Sequence, residues 1–117
     1  MNTCPFCGYK TVGVTGCHEI CPICFWEDDS VQEADPWVKG GENSPTLFQA
    51  QINFKKYGAM EERFVSNVRL PNSGDKKDPK WIELVEADKE FCTTPREIEK
   101  AWGSKNSLSY NYWERNA

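Results

Sequence analysis

The sequence predicts an α+β fold in which a small N-terminal zinc-ribbon hairpin packs against a few helices. Two observations predict it: two Cys-x-x-Cys units lie within the first 24 residues, and helix start signals appear from residue 44 onward. A chain of 117 residues supports one modest core, so we expect residues 1–117 to form a single domain. Because 38% of the residues are hydrophobic and 13% are aromatic, this core should be built around Trp, Phe and Tyr.

Four of the six cysteines form two knuckle motifs, Cys-Pro-Phe-Cys at 4–7 and Cys-Pro-Ile-Cys at 21–24. Each pair offers two thiolates from one tight turn, and a separation of thirteen residues suits a tetrahedral zinc site. We therefore predict one structural Zn²⁺ bound by Cys4, Cys7, Cys21 and Cys24. Redox-active Cys-x-x-Cys motifs are the alternative, but these usually open a helix in a βαβ unit, and the sequence contains none that is legible.

Between the knuckles, residues 11–14 and 18–20 are predicted to form two short strands joined around Gly16. This arrangement places Cys17 and His18 at the tip of the ribbon hairpin. Either residue is an alternative zinc ligand, for instance Cys17 in place of Cys21, although neither belongs to a paired knuckle. Directly after the second knuckle, the aromatic pair at 25–26 is expected to cover the zinc site and exclude water.

A helix is predicted after residue 44, with Ser44 as its N-cap and Pro45 at its first position. Its apolar stripe follows helical spacing and Gly58 ends it, since glycine readily adopts a left-handed conformation. The stripe consists of Leu47, Ala50, Gln51, Phe54 and Tyr57. The segment 61–65 begins a short second helix that ends before Pro71.

The last third of the chain contains two further helix predictions. Residues 72–79 are polar and are expected to be an exposed loop. Residues 79–87 are predicted to be helical, with Trp81, Leu84 and Val85 on one face, and Thr94-Pro95 starts another helix that Gly103 ends. Cys92 should be a small buried hydrophobe. The C-terminal aromatics (Tyr110, Tyr112 and Trp113) are expected to fold back onto the core; the alternative is an exposed binding patch.

Charge is distributed unevenly along the chain. Residues 1–45 contain seven acidic residues and two lysines, whereas residues 46–117 contain eleven acidic and twelve basic residues. Nucleic-acid binding requires clustered Lys and Arg, so the acidic half argues against it, without excluding a basic patch near Lys76-Lys77. The candidate residues for contact with a protein partner are acidic: Glu27, Asp28, Asp29, Glu33 and Asp35. For the acids at 27–29, the structural alternative is a solvated turn or a cap for the next element.

Several blocks of the sequence resemble one family of small bacterial proteins, the cysteine-rich CPCC family. The matching blocks are Cys-Pro-Phe-Cys-Gly-Tyr at 4–9, Ile-Cys-Pro-Ile-Cys-Phe-Trp-Glu-Asp-Asp at 20–29, Val31-Gln32, Asp35-Pro36, Gly-Gly-Glu-Asn at 40–43, a segment 47–58 and Glu-Glu-Arg-Phe at 61–64. The resemblance covers about residues 4–71. It divides the domain into a zinc-ribbon module (4–26), a family helical segment (45–71) and a variable helical part (72–117). One departure is Phe6, which stands where the family name implies a third cysteine; this favours Cys4 and Cys7 as the ligands of the first pair.

The sequence predicts a binding protein and not an enzyme. The chain contains one histidine and no glycine-rich phosphate loop, so a conventional catalytic set is missing. We expect a cytoplasmic location, because the chain has neither a membrane-spanning stretch nor a secretory signal. Some members of the family that it resembles lie beside bacterial toxin genes. This implies a non-catalytic immunity protein that neutralises a toxin, and the acidic half favours a basic toxin domain as the partner. The alternative is a zinc-ribbon adaptor that binds nucleic acid or a larger complex.

Overall fold

The structure is a computed structural model that describes residues 1–13, 17–91, 96–97 and 111–115. Within these ranges the helices are short and few. They are α1 (Ser30–Ala34), α2 (Leu47–Tyr57), a 3-10 helix (Glu62–Phe64), a second 3-10 helix (Glu86–Phe91) and α3 (Tyr112–Arg115). Residues 96–97 are also helical. Most of the described chain consists of turns and loops. Helix α2, with 11 residues, is the longest helix in the described ranges.

In the described residues, β-structure is limited to three isolated antiparallel bridges. They join Asn2 with Val12, Ile20 with Glu27, and Tyr9 with Lys77. The first two bridges each close the flanks of one knuckle. The predicted pairing of residues 11–14 with 18–20 is therefore not confirmed, and neither is the α+β class. The physical reason is that these flanks already satisfy their backbone groups locally.

Helix α2 begins two residues later than predicted. The Thr46 side chain is the N-cap, since it accepts a hydrogen bond from the Gln49 N–H at 3.0 Å. Pro45 is not the first helical residue, because its carbonyl accepts a hydrogen bond from Gln32 and so belongs to the preceding loop. The end of the helix is confirmed: Gly58 adopts φ 83°, and its N–H donates to the Phe54 carbonyl.

The predicted helix over residues 79–87 is wrong. Residues 81–85 have no helical structure, and a 3-10 helix starts only at Glu86. The Leu84 N–H donates to the Gln51 side chain at 2.8 Å, and the Ile82 carbonyl accepts from the Tyr112 hydroxyl. Because other elements supply these hydrogen-bond partners, the segment lies extended across α2.

The predicted loop at 72–79 is mostly exposed, as expected, but its second half is attached to the first knuckle. The Lys10 N–H donates to the Lys76 carbonyl and the Asp78 N–H donates to the Gly8 carbonyl, both at 2.8 Å. Residues 76–84, which we call the strap, therefore run from the first knuckle across α2. The predictions for Cys92, for Tyr110 and for the join around Gly16 lie outside the described residues. Of the helix predicted to begin at 94–95, the described residues 96–97 are helical.

The core is built around the knuckles and is rich in aromatic side chains, as predicted. Phe6 stacks on Trp26 with ring centroids 5.7 Å apart and meets the edge of Phe54 at 5.3 Å. Tyr112 and Trp113 are buried in the same core, which confirms the predicted folding back for these two C-terminal aromatics. None of the helices in the described ranges is long and apolar enough to cross a membrane.

Candidate metal centre

The two knuckles have the same backbone geometry. In each, the residue four positions after the first cysteine donates its N–H to that cysteine's carbonyl: Gly8 to Cys4 at 2.9 Å, and Phe25 to Cys21 at 2.8 Å. Both donors adopt a left-handed conformation, with φ 82° for Gly8 and 67° for Phe25. This tight turn directs the two thiols of each pair toward the same point.

The four predicted ligands come together in one buried cluster. The Sγ atoms of Cys4 and Cys24 are 3.7 Å apart, those of Cys7 and Cys21 are 3.8 Å apart, and all four lie within 4.8 Å of one another. A tetrahedral ion with Zn–S bonds of about 2.3 Å requires sulfur–sulfur distances of about 3.8 Å. The two closest sulfur pairs match this value, so the arrangement fits a four-thiolate metal ion.

The electrostatics of the cluster also fit a cation. Burial raises the pKa of the Cys4 and Cys24 thiols well above the ordinary value, because a lone thiolate is poorly solvated there. Hydrogen bonds from neighbouring thiols lower the pKa of Cys21, and the Thr11 hydroxyl also donates to its sulfur at 3.0 Å. A divalent cation bound to all four thiolates would offset two of their four negative charges, and a tetrahedral set of four thiolates is typical of zinc or iron.

Cys17 and His18 lie outside this cluster. Cys17 is exposed, and the His18 side chain is 61% exposed with its Nδ1 atom 4.0 Å from the Glu27 carboxylate. This geometry favours the predicted ligand set over the alternatives in which one of these two residues replaces Cys21. With four protein ligands the coordination sphere is closed, so the site can stabilise the fold but has no open position for a substrate.

Aromatic side chains exclude water from the cluster, as expected for the pair at 25–26. Trp26 and Phe6 are each 1% exposed and pack in the core beside the cysteines. Phe25 is half-buried on the outer side, where its ring centroid lies 4.6 Å from that of Phe64. Phe25 therefore attaches the second knuckle to the Glu62–Phe64 turn, whereas Trp26 packs in the core beside the thiols.

The first knuckle is held from outside by two residues that the sequence did not identify as supporting residues. The Pro5 carbonyl accepts hydrogen bonds from Gln51 Nε2 at 3.2 Å and from Trp81 Nε1 at 2.9 Å. Gln51 also donates to the Tyr112 hydroxyl and accepts from the Leu84 N–H. The sequence did contain a sign of this role: Gln51 lies on the apolar stripe of α2, and a polar side chain on a buried face requires polar partners.

The acidic residues near the second knuckle do not form the exposed surface that the sequence suggested. Asp28, Asp29 and Glu33 are 2%, 5% and 2% exposed, whereas Glu27 and Asp35 are half-buried. This burial argues against direct contact between the first three residues and a partner. The capping alternative is confirmed for Asp29, which is the N-cap of α1.

The buried Asp29 carboxylate accepts hydrogen bonds from three backbone N–H groups, which compensate for its loss of hydration. One oxygen accepts from Val31 at 2.9 Å and from Gln32 at 3.2 Å, and the other accepts from Glu42 at 2.8 Å. The carboxylate thereby joins the start of α1 to the loop that precedes α2. The sequence allowed Asp29 to be predicted as a helix cap, but it gave no sign of the hydrogen bond from the distant Glu42 N–H.

Glu33 predicts a pH dependence of stability. Burial raises its pKa well above the ordinary value, and the neighbouring Asp28 carboxylate raises it further. The folded state therefore retains a proton that the unfolded state loses above about pH 4.3, so the free energy of unfolding falls as pH rises, by up to about 1.4 kcal/mol per pH unit until the folded pKa is reached. Glu33→Gln should flatten this decline in urea unfolding between pH 4.5 and 8. An unchanged profile would contradict the assignment.

The fold and the four-thiol cluster define a small protein built around a potential metal site. The model of the family described as Cysteine-rich CPCC matches residues 2–75, and the chain belongs to this family. This confirms the resemblance that the knuckle motifs suggested. A search of curated proteins gives no match. The whole strap lies beyond the matched residues, although it is hydrogen-bonded to the first knuckle.

Proposed function

We propose that the protein binds one Zn²⁺ through the four clustered cysteines, and that this ion stabilises the fold. The sulfur–sulfur distances of 3.7 and 3.8 Å carry this proposal. The test is elemental analysis of protein purified from cells supplied with both zinc and iron. We expect one colourless zinc ion per chain; a coloured protein with stoichiometric iron would contradict zinc as the physiological ion.

We further propose that the protein acts without catalysis, as an immunity protein that neutralises a bacterial toxin. Membership of the CPCC family supports this proposal through the neighbourhood of toxin genes that the resemblance implies for some members. A closed metal site and an exposed His18, the single histidine of the chain, also favour binding over catalysis. After the burial of three of the predicted acids, the remaining acidic surface beside the second knuckle includes Glu27 and Glu42.

These two carboxylates repel each other. The pKa of Glu27 is raised by partial burial and then by the adjacent Glu42 carboxylate. A cationic partner surface would relieve this repulsion, which is the behaviour expected of a face that binds a basic toxin domain. We call Glu27 and Glu42 the acidic pair.

Charge reversal of the acidic pair should slow binding of the toxin without unfolding the protein. Glu27→Lys combined with Glu42→Lys is expected to reduce the association rate roughly tenfold at low salt, and added salt should reduce the difference. Stopped-flow binding to the toxin domain encoded by the neighbouring gene measures this. Glu62→Lys, which changes an exposed acid in the Glu62–Phe64 turn, is the matched control.

Growth of cells expressing the toxin domain provides the biological arm of this test. Coexpression of the intact protein should restore growth, and the two should copurify as a complex. Equal killing with and without the protein, or no complex, would contradict the immunity proposal.

The adaptor function is a second candidate, because one structural observation favours it. The strap brings Lys76, Lys77 and Lys80 next to the first knuckle, beside Lys10. The knuckle therefore has a basic neighbourhood although it belongs to the acidic half of the sequence. The acidic composition of residues 1–45 therefore argues less strongly against an anionic partner at this knuckle.

A further inference from the structure

A pocket of about 370 Å³ lies between the first knuckle, α2 and the strap. Four of its ten lining residues are aromatic (Phe6, Tyr9, Phe54 and Trp81), and Lys55, Lys77 and Glu83 stand at its rim. Pockets of this size that combine aromatic walls with a few polar groups are typical of small-ligand sites. The pocket is separate from the closed metal centre, although Cys7 borders it.

Lys77 places a positive charge over the aromatic wall. Its Nζ atom lies 5.7 Å from the ring centroid of Tyr9 and 5.3 Å from that of Trp81. Lys77 forms no ion pair with a carboxylate within the part of the chain that the structure describes. The other rim lysine, Lys55, is paired with Glu83. The rim therefore has a net positive charge.

The surroundings add further positive charge. Lys10 and Lys80 both lie close enough to Asp78 to lower the pKa of its carboxyl group, after larger effects of hydrogen bonds from Thr3 and from the Lys80 N–H. The Asp78 carboxylate is thus already engaged, with the Thr3 hydroxyl at 2.7 Å. Asp78 stays ionised and offsets one of the two ammonium charges of Lys10 and Lys80, so these three residues together still add one positive charge near the rim.

We infer that this pocket binds a nucleotide, with the base stacked on the Tyr9 and Trp81 rings and the phosphate paired with Lys77. Stacking on aromatic side chains next to lysines that contact phosphate is the usual chemistry of single-strand nucleotide recognition. The exposed Lys77 side chain can swing from the rings to the phosphate, since a cation–π contact at an exposed site is weak. An acidic peptide would use the lysines but has no group that needs an aromatic-walled pocket.

The nucleotide can be free in solution or part of a single strand, because both present the same base and phosphate. Nucleotide binding would give the proposed adaptor function its ligand, and only its biological role rests on that proposed function. Nucleotide binding is measured directly on the purified protein, so its failure is distinguishable from failure of toxin neutralisation or of zinc binding.

The experiment uses the zinc-loaded full-length chain and four probes: AMP, a short labelled oligodeoxythymidine, inorganic phosphate and an oligoglutamate peptide. Calorimetry and fluorescence anisotropy measure the affinities over a range of salt concentrations. Lys77→Gln should weaken binding of the nucleotide probes about tenfold, as expected for the loss of one charge-assisted contact, and should reduce the salt slope for the oligonucleotide by about one. Tyr9→Leu should weaken binding without changing that slope.

Lys56→Gln is the matched control, because Lys56 also lies over an aromatic ring, that of Tyr57 at 5.2 Å, but outside the pocket. It should leave both affinities unchanged. Comparable affinities for AMP and the oligonucleotide support a free nucleotide; much tighter binding of the oligonucleotide supports a strand. The inference is overturned if neither nucleotide probe binds, if phosphate alone binds as well as AMP, if oligoglutamate is preferred, or if Lys77→Gln has no effect.

Discussion

Replacing Cys21 by Ser is expected to abolish zinc binding and to unfold most of the chain. Cys21 is one of four buried thiols that form the metal cluster, and a serine hydroxyl is a poor ligand for a site that selects thiolates. Structural zinc sites contribute roughly 10–16 kcal/mol of binding free energy that is also folding free energy. Because a domain of this size is stable by only about 5–15 kcal/mol, loss of the ion should exceed its margin of stability.

The measurement combines zinc content with thermal unfolding. Cys17→Ser is the matched control, since Cys17 is exposed and lies outside the cluster, and it should retain one zinc and an unchanged transition. A chelator added to the intact protein should reproduce the loss of structure seen in Cys21→Ser. If Cys21→Ser instead retains full zinc, the ligand role passes to Cys17 or His18.

The metal cluster was predictable because its determinants are local. Each knuckle brings its own two thiols together through a turn of four residues, and the Cys-x-x-Cys spacing encodes this geometry directly. The end of α2 at Gly58 was predictable for the same reason. The start was not, because Ser44 and Thr46 are both good N-caps, and the choice depends on the bond from Gln32 to the Pro45 carbonyl.

The strap was mispredicted because its structure depends on distant residues. Local pattern favoured a helix at 79–87, but Leu84 bonds to Gln51 and Trp81 bonds to Pro5, and neither partner is near it in sequence. The acidic residues show the same limitation. Charge pattern alone suggested a solvent-facing surface, whereas Asp29 is buried by the backbone groups that it caps.

Replacing Gly8 by Ala is expected to destabilise the protein through the tight turn that closes the first knuckle. Gly8 has φ 82°, and an added Cβ would lie 2.6 Å from the ring of Trp81, which packs directly on this turn. The left-handed conformation costs an alanine about 1–2 kcal/mol, and displacing a packed ring costs typically 1–3 kcal/mol more. We therefore expect a loss of about 3 kcal/mol in urea unfolding, together with weaker zinc binding.

Gly58→Ala separates the two contributions, because Gly58 has φ 83° but nothing within 4 Å of its would-be Cβ. It should cost only the conformational part of about 1–2 kcal/mol. In the Gly8→Ala background, Trp81→Ala should destabilise less than it does alone, since it removes the clashing ring; this coupling is the signature of direct contact. If Gly8→Ala costs no more than Gly58→Ala, Trp81 does not lie against the knuckle. The strap would then be misplaced, and the nucleotide pocket that it walls would not exist.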